Sequence, residues 1–220
     1  MSEKNKNVDI KKLTKITPLL SINKDRVSIT NTILTNIVKM FTERKLLNKS
    51  EITNNIKNIT NKHSDNMEYN IKLLNNKKLY IKFIPQKITA INKTSGIYDF
   101  VEKYKNDKSI IIVNEISSKA NNIIKQKYKL SEVFAEYELM MNIIEHRYQP
   151  KFEIVDEKYF EEFLNNRKCT KQDLPRMYIN DPIVKYYNLK IGNLVRIIRP
   201  SSASGQVISY RLVVNGKMNK

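Results

Sequence analysis

Glu102-Lys103, Asp156-Glu157-Lys158 and Glu115 have the residue types for phosphodiester chemistry, and Cys169, His63 and His146 those for acyl transfer or metal binding. A metal-dependent nuclease holds its ion on an acidic residue and on the Glu of a Glu-x-Lys on the next strand, whose lysine steadies the developing charge. Here Glu102-Lys103 and Asp156-Glu157-Lys158 fall in helical or helix-opening text. Glu115, closing the run IIIVNE, has no lysine two residues on. A Cys–His nucleophile needs a group that activates the thiol, and nothing beside Cys169 does so. One cysteine forms no internal disulfide and, with two histidines, no cysteine-based zinc site. Neither a GxxxxGK[ST] nor a GxGxxG phosphate loop occurs. The expectation is a chain with no catalytic residue, no metal and no cofactor, working in a reducing compartment.

Binding is what the composition favours. The net charge is +18 over 220 residues, a surplus that concentrates polyanions such as nucleic acid nearby. Residues 1–62 hold 13 Lys/Arg against 5 Asp/Glu, so a phosphate backbone is felt most at the front. An AT-rich coding bias, which raises Lys, Asn and Ile together, accounts for part of the same excess. No apolar run approaches the ~18 residues of a membrane span, and MSEKNKNVDIKKL lacks the apolar core of a signal peptide. No membrane partner and no homo-oligomer is expected.

The elements that must position a binding surface follow from periodicity. Residues 1–27 read as a flexible basic arm with Pro18-Leu19-Leu20 as a short anchor. From Asn31, Ile33, Ile37, Met40 and Phe41 form a helical stripe that fades near Lys45. A second helix starts at Asn48, where Asn48 and Glu51 have capping-box spacing ahead of Ile52, Ile56 and Ile59. NKHSDNMEYN reads as a loop. KKLYIKFIP alternates like a strand and stops at Pro85, and KSIIIVNE is a short buried strand. TSGIYDFVEKY between them is helical, and Ser117 or Ser118 opens a helix in SSKANNIIKQKY. Strand, helix, strand, helix predicts an α/β layer with the two opening helices packed on it. VFAEYELMMNII fits either a strand running into a short helix or one helix.

His146-Arg147-Tyr148-Gln149-Pro150 interrupts this text and marks a domain boundary. Three of four glycines and four of six prolines lie from Pro150 onward. In this second part Asp156 can cap a helix carrying Tyr159, Phe160, Phe163 and Leu164, and Asp181-Pro182 opens a short helix. Gly192 then leads into the hairpin NLVRIIRPSSASGQVISYRLVV. Its second strand has one apolar face, Ile208, Tyr210, Leu212 and Val214, while the other mixes Val207 and Val213 with Ser209 and Arg211. One face should pack on the domain and the other meet a partner, because it is too apolar for water and too charged for a core.

The C-terminal segment DLPRMYINDPIVKYYNLKIGNLVRIIRPSSASGQVISYRLV resembles the assembly domain of the fifth subunit shared by the nuclear RNA polymerases, and the archaeal counterpart of that domain. The resemblance rests on Leu174-Pro175-Arg176, Asp181-Pro182, Tyr186 with Leu189-Lys190-x-Gly192, Val195-x-Ile197-Ile198-Arg199, and Ser204-Gly205 followed by Ser209-Tyr210-Arg211. His146, Pro150 and Lys151 resemble the family's interdomain linker, while NIVKMFTERKLL and SIIIVNEISSKA resemble its jaw domain. The resemblance implies a two-domain α+β and α/β protein. Residues 28–145 would form a nuclease-like α/β jaw lacking nuclease residues, and 146–220 a small α+β assembly domain with a β-hairpin.

The resemblance further implies a non-catalytic subunit of a DNA-directed RNA polymerase. Pro175, Arg176, Asp181, Pro182, Arg199, Ser204, Gly205, Tyr210 and Arg211 would dock on the largest subunit, among other subunits, and the jaw would lie beside downstream duplex DNA. The chain departs from the family at Ser202, Ala203 and Gln206 in the hairpin loop, at Phe152 in the linker, and in its longer arm. With the AT-rich composition these departures point to a large DNA virus or an AT-rich protist. The implied location is the nucleus if cellular, and the virion or a cytoplasmic virus factory if viral. The rival reading is a stand-alone basic DNA-binding or architectural protein.

Overall fold

The computed structural model describes residues 25–61, 66–74, 76–91 and 96–216. Pro18-Leu19-Leu20, most of the predicted arm and His63 lie outside them. The first helix, α1 (Arg26–Glu43), opens five residues before the apolar stripe suggests, and it takes Arg26 and Val27 out of the predicted arm. The cause is Asp25, whose carboxylate accepts from the Ser28 amide and satisfies a free N–H of the first turn. A short 3-10 turn (Lys49–Glu51) leads into α2 (Ile52–Thr60). The capping box expected at Asn48 does not form, since the Asn48 side chain makes no cap bond.

The front sheet has the order β1-β2-β3-β4, with strands β1 (Glu68–Lys72), β2 (Lys78–Ile88), β3 (Lys108–Ile116) and β4 (Ser131–Ala135). β2, β3 and β4 are parallel, and β1 runs antiparallel at the edge. β1 corrects the loop reading of NKHSDNMEYN, whose last three residues belong to it. Pro85 also fails to end β2: the strand continues to Ile88 through a register shift between Ile84 and Lys87. A bulge is where a sheet tolerates a residue without an N–H. The crossovers are α3 (Ile97–Lys103) and α4 (Ser118–Lys127), the latter capped by Ser117 through the Ala120 amide.

Alternation assigns the two faces of this sheet. Leu79, Ile81, Phe83, Ile110, Ile112 and Phe134 pack with Ile33, Ile37 and Phe41 of α1. Ile111, Val113 and Val133 pack with Phe100, Val101, Ala120 and Ile124 of α3 and α4. With helices on both sides, Ile110 to Val113 are all 0 % exposed, which is why that stretch reads as an unbroken apolar run. The expected α/β layer with opening helices on it is present. VFAEYELMMNII resolves into β4 followed by the single-turn helix α5 (Glu136–Leu139).

The second sheet has the order β5-β7-β8-β6 and lies wholly after residue 150. Its strands are β5 (Lys151–Val155), β6 (Arg176–Tyr178), β7 (Leu194–Ser201) and β8 (Gly205–Val214). Helix α6 (Phe160–Arg167) covers one face with Phe160, Leu164 and Leu174 over Leu194 and Leu212. Asp156 stands ahead of it at the start of a 3-10 turn, without the side-chain cap bond its position suggests. Helix α7 (Pro182–Tyr187) covers the other face, and its Val184, Tyr186 and Tyr187 share one apolar cluster with Val195, Ile197 and Val213 and with α1. The molecule is a mixed α+β chain with two sheets and, among the described residues, seven α-helices. One apolar cluster runs through both halves.

Candidate partner interface on the C-terminal hairpin

β7 and β8 pair antiparallel from Leu194↔Leu212 to Ser201↔Gly205, so the three residues Ser202, Ala203 and Ser204 make the loop. Gly205 closes it at φ +71, a backbone conformation that side chains with a Cβ resist, and this fixes glycine there. Burial along β8 falls from base to tip rather than from one face to the other. Leu212 and Val213, on opposite faces, are 9 % and 0 % exposed, whereas Val207 and Ile208, also on opposite faces, are 48 % and 42 % exposed. The expected division into a packed face and a free face is therefore replaced. Both faces are covered at the base, by α6 and α7, and both are open at the tip. Pattern could not reveal this, because the covering helices follow only from tertiary structure.

The sequence-predicted site residues divide into four places. Arg199, exposed and paired in register with Val207, joins Ser204 and Gly205 at the tip. Tyr210, Arg211, Pro175 and Arg176 lie at the middle and base of the outer edge. The Pro175 carbonyl accepts from the Leu212 amide at 2.8 Å, and Arg176 begins β6 opposite Leu212. Asp181 and Pro182 open α7, with the Asp181 carboxylate accepting from the Ile183 amide at 2.8 Å. That pair builds a helix start. In the linker His146 is exposed and its carbonyl accepts from Gln149, while Pro150 precedes Lys151, the first residue of β5.

Three features escaped the sequence pattern. The Tyr210 ring lies 4.4 Å from that of Phe163, and the Arg167 guanidinium sits 4.8 Å from Tyr210 and 5.0 Å from Phe163. This three-way cluster joins β8 to a helix some forty residues earlier, beyond any local period. Ile154 of β5 adds a third exposed apolar side chain to the sheet. Glu153 of β5 pairs with Arg196 across on β7 at 3.2 Å and with Lys151 of its own strand at 2.8 Å, and Lys151 above all, helped by Arg196, holds its carboxyl below the usual range.

The nuclease candidates are dispersed. Glu102 accepts from the Tyr128 hydroxyl, Glu115 pairs with Lys87 at 2.7 Å, and Asp156 to Lys158 lie in the second half of the chain. Among the described residues no group of three or more His, Cys, Asp or Glu is placed to hold a metal ion.

The linker, the two covering helices and all of the hairpin but its last residue, Val214, fall inside residues 141–213, which match the family described as RNA polymerase Rpb5, C-terminal domain. A DNA-directed RNA polymerase subunit 5 from Acanthamoeba polyphaga mimivirus is 32 % identical over 206 residues, 90 % of this chain and 97 % of that one. The chain belongs to the RNA polymerase subunit 5 family. It is accordingly a polymerase subunit, part of a transcription enzyme. A Dictyostelium discoideum relative named DNA-directed RNA polymerases I, II, and III subunit rpabc1 is 30 % identical over 141 residues, 62 % of this chain and 72 % of its own length. The family also reaches an archaeal subunit Rpo5 from Staphylothermus marinus, 41 % identical over 73 residues that make up 33 % of this chain and 80 % of that one.

Proposed function

We propose that this chain is a non-catalytic subunit that docks its C-terminal hairpin on the largest polymerase subunit and holds its front half beside downstream duplex DNA. The hairpin carries the reading. Exposed Val207, which pairs in register with Arg199, and Ile208 beside it put apolar surface against an arginine, a mix that partner interfaces favour. Residues 28–145 act as the jaw and 146–220 as the assembly domain. The archaeal relative, matched over most of its length by a third of this chain, supports that division. The three-layer arrangement of the front half agrees with a nuclease-like layout put to positional use. Its basic charge suits a place near DNA without requiring tight binding. The names of the relatives favour the nucleus for a cellular source and a virus factory or virion for a viral one.

The test uses Arg199→Ala and Arg211→Ala together in a tagged full chain, with capture of the largest subunit as the readout. Docking through the hairpin predicts a loss of about tenfold or more, since two central arginines are removed. Capture equal to the parent's means the hairpin is not the docking surface.

A further inference from the structure

The two outer edges of the hairpin are treated differently by the sequence. On the β7 side, β5 pairs as far as Ile198, and Pro200 follows two residues later. Leu194, Arg196 and Ile198 all turn their backbone groups away from β8, as the register Leu194↔Leu212 requires, and Pro200 shares their parity. Its ring therefore replaces an N–H that would face outward, which blunts that edge against further pairing.

The β8 edge has no such protection. β6 pairs only with Leu212, Val213 and Val214, so no strand among the described residues pairs with β8 from Gly205 to Arg211 on that side. The Leu212 amide points outward to the Pro175 carbonyl, and the Val213 amide points inward to Asn193. By the two-residue period, Ile208 and Tyr210 also aim their N–H and C=O outward, while Gln206 spends its N–H on Ser204 at 2.8 Å. Four open backbone groups remain. Beside them lies a groove of about 340 Å³ lined by Phe163, Arg167, Leu174 and Pro175. Its one acidic side chain, Asp173, is held by the amide and hydroxyl of Thr170. Arg167 stacks on two rings and faces no carboxylate within ion-pair distance among the described residues.

We infer that an extended, carboxylate-bearing segment of the largest polymerase subunit adds as a fifth strand to β8 at Ile208–Tyr210, with its carboxylate on Arg167. The inference rests on the docking reading and names its mode. Backbone pairing supplies affinity that tolerates side-chain change, while Arg167 and the exposed Ile208 select a strand with an acidic and an apolar residue on the groove face. An open edge with an exposed isoleucine is otherwise an aggregation hazard, and a partner strand removes it.

Amide hydrogen exchange of the full chain, free and bound to the largest subunit, tests this. The expected result is that the Ile208 and Tyr210 amides exchange freely in the isolated chain and slow by about 100-fold or more in the complex. Val207, Ser209 and Arg211, which face β7, should be protected in both. Two variants sharpen the reading: Ile208→Pro, which deletes an outward N–H, and Arg167→Gln should each weaken capture by about tenfold. Ile208→Val, which keeps the N–H, should not. A complex that forms with Ile208 and Tyr210 still exchanging freely overturns strand addition and leaves docking intact. If the largest subunit does not capture the parent chain, docking itself fails and the inference goes with it. Protection already present in a free chain of dimeric mass assigns the edge to a second copy and overturns the inference.

Discussion

Arg44 donates from Nε to the main-chain carbonyl of Tyr186 at 2.7 Å, joining the end of α1 to a helix 142 residues later. Its two terminal nitrogens grip both carboxylate oxygens of Glu132 at 2.7 and 2.8 Å, and one of them also reaches the Lys185 carbonyl. One buried guanidinium thus ties α1, β4 and the C-terminal end of α7. The cation also sits where the carbonyls of a helix end concentrate negative potential. Lys185 adds a second tie to the same junction by pairing with Glu138.

Arg44→Ala is expected to destabilise the chain by about 3 kcal/mol, because it strips the part-buried Glu132 carboxylate of its charged partner, leaving only the Asn188 amide, and takes a donor from the Tyr186 carbonyl. Arg44→Lys should recover only part of this, since an ammonium cannot make the bidentate contact. Urea unfolding followed by circular dichroism reads both. A change below about 0.5 kcal/mol for the alanine variant shows that the junction is held by apolar packing alone.

The same junction predicts the response to alkali. Burial, followed by the charge of Glu43, pushes the Tyr187 hydroxyl up to about 12, and burial raises that of Tyr186 as well. A folded-state value above the unfolded one means stability is whole below pH 10 and declines as pH climbs toward 12, because only the unfolded chain ionises readily. Thermal unfolding between pH 8 and 12 should show this decline. Tyr187→Phe should make it shallower, and an identical slope in that variant removes Tyr187 from the account.

Much of the fold was legible where one pattern decided the outcome. IIIV buried on both sides, Ser117 at a helix start, and Asp181-Pro182 ahead of α7 all carry local signals. What was not legible depends on distant partners. β1 has the sequence EYNIK, too polar to announce a strand, and forms because β2 offers it an edge. Pro85 reads as a stop, yet a bulge absorbs it. Asn48 has the right spacing for a capping box, but the 3-10 turn that follows does not bring the bond about. In the hairpin, spacing gave the two strands and the loop between them but not their register or the covers. α6 over Leu212 and α7 over Val213 are facts of tertiary packing, and so is the Phe163–Tyr210–Arg167 stack.

That stack separates two kinds of hairpin variant. Tyr210→Ala removes a ring packed against both Phe163 and Arg167, so it should lower stability by about 1–2 kcal/mol as well as weaken docking. Arg199→Ala, at an exposed position, should leave the melting temperature within about 1 °C while still reducing capture. Differential scanning calorimetry beside a capture assay distinguishes them. A stability loss for Arg199→Ala equal to that for Tyr210→Ala contradicts the placement of Arg199 at a free tip.

DNA binding by the isolated chain should be weak and strongly salt-dependent. A stand-alone binder neutralising several phosphates shows a slope of about −0.9 per contact in log K against log salt together with useful affinity at physiological salt. A jaw held in place by its assembly needs no such affinity. Fluorescence anisotropy with a duplex probe from 50 to 200 mM salt should give dissociation constants no tighter than about 1 μM at the upper end. Nanomolar binding there favours an independent DNA-binding protein.

This chain lives as part of a transcription enzyme. Affinity purification of the tagged full-length chain from the cells in which it is made, followed by mass spectrometry, tests it most directly. The expected result is near-stoichiometric recovery of the largest RNA polymerase subunit with its companions. Recovery of the chain alone, with no polymerase subunit above background, contradicts it.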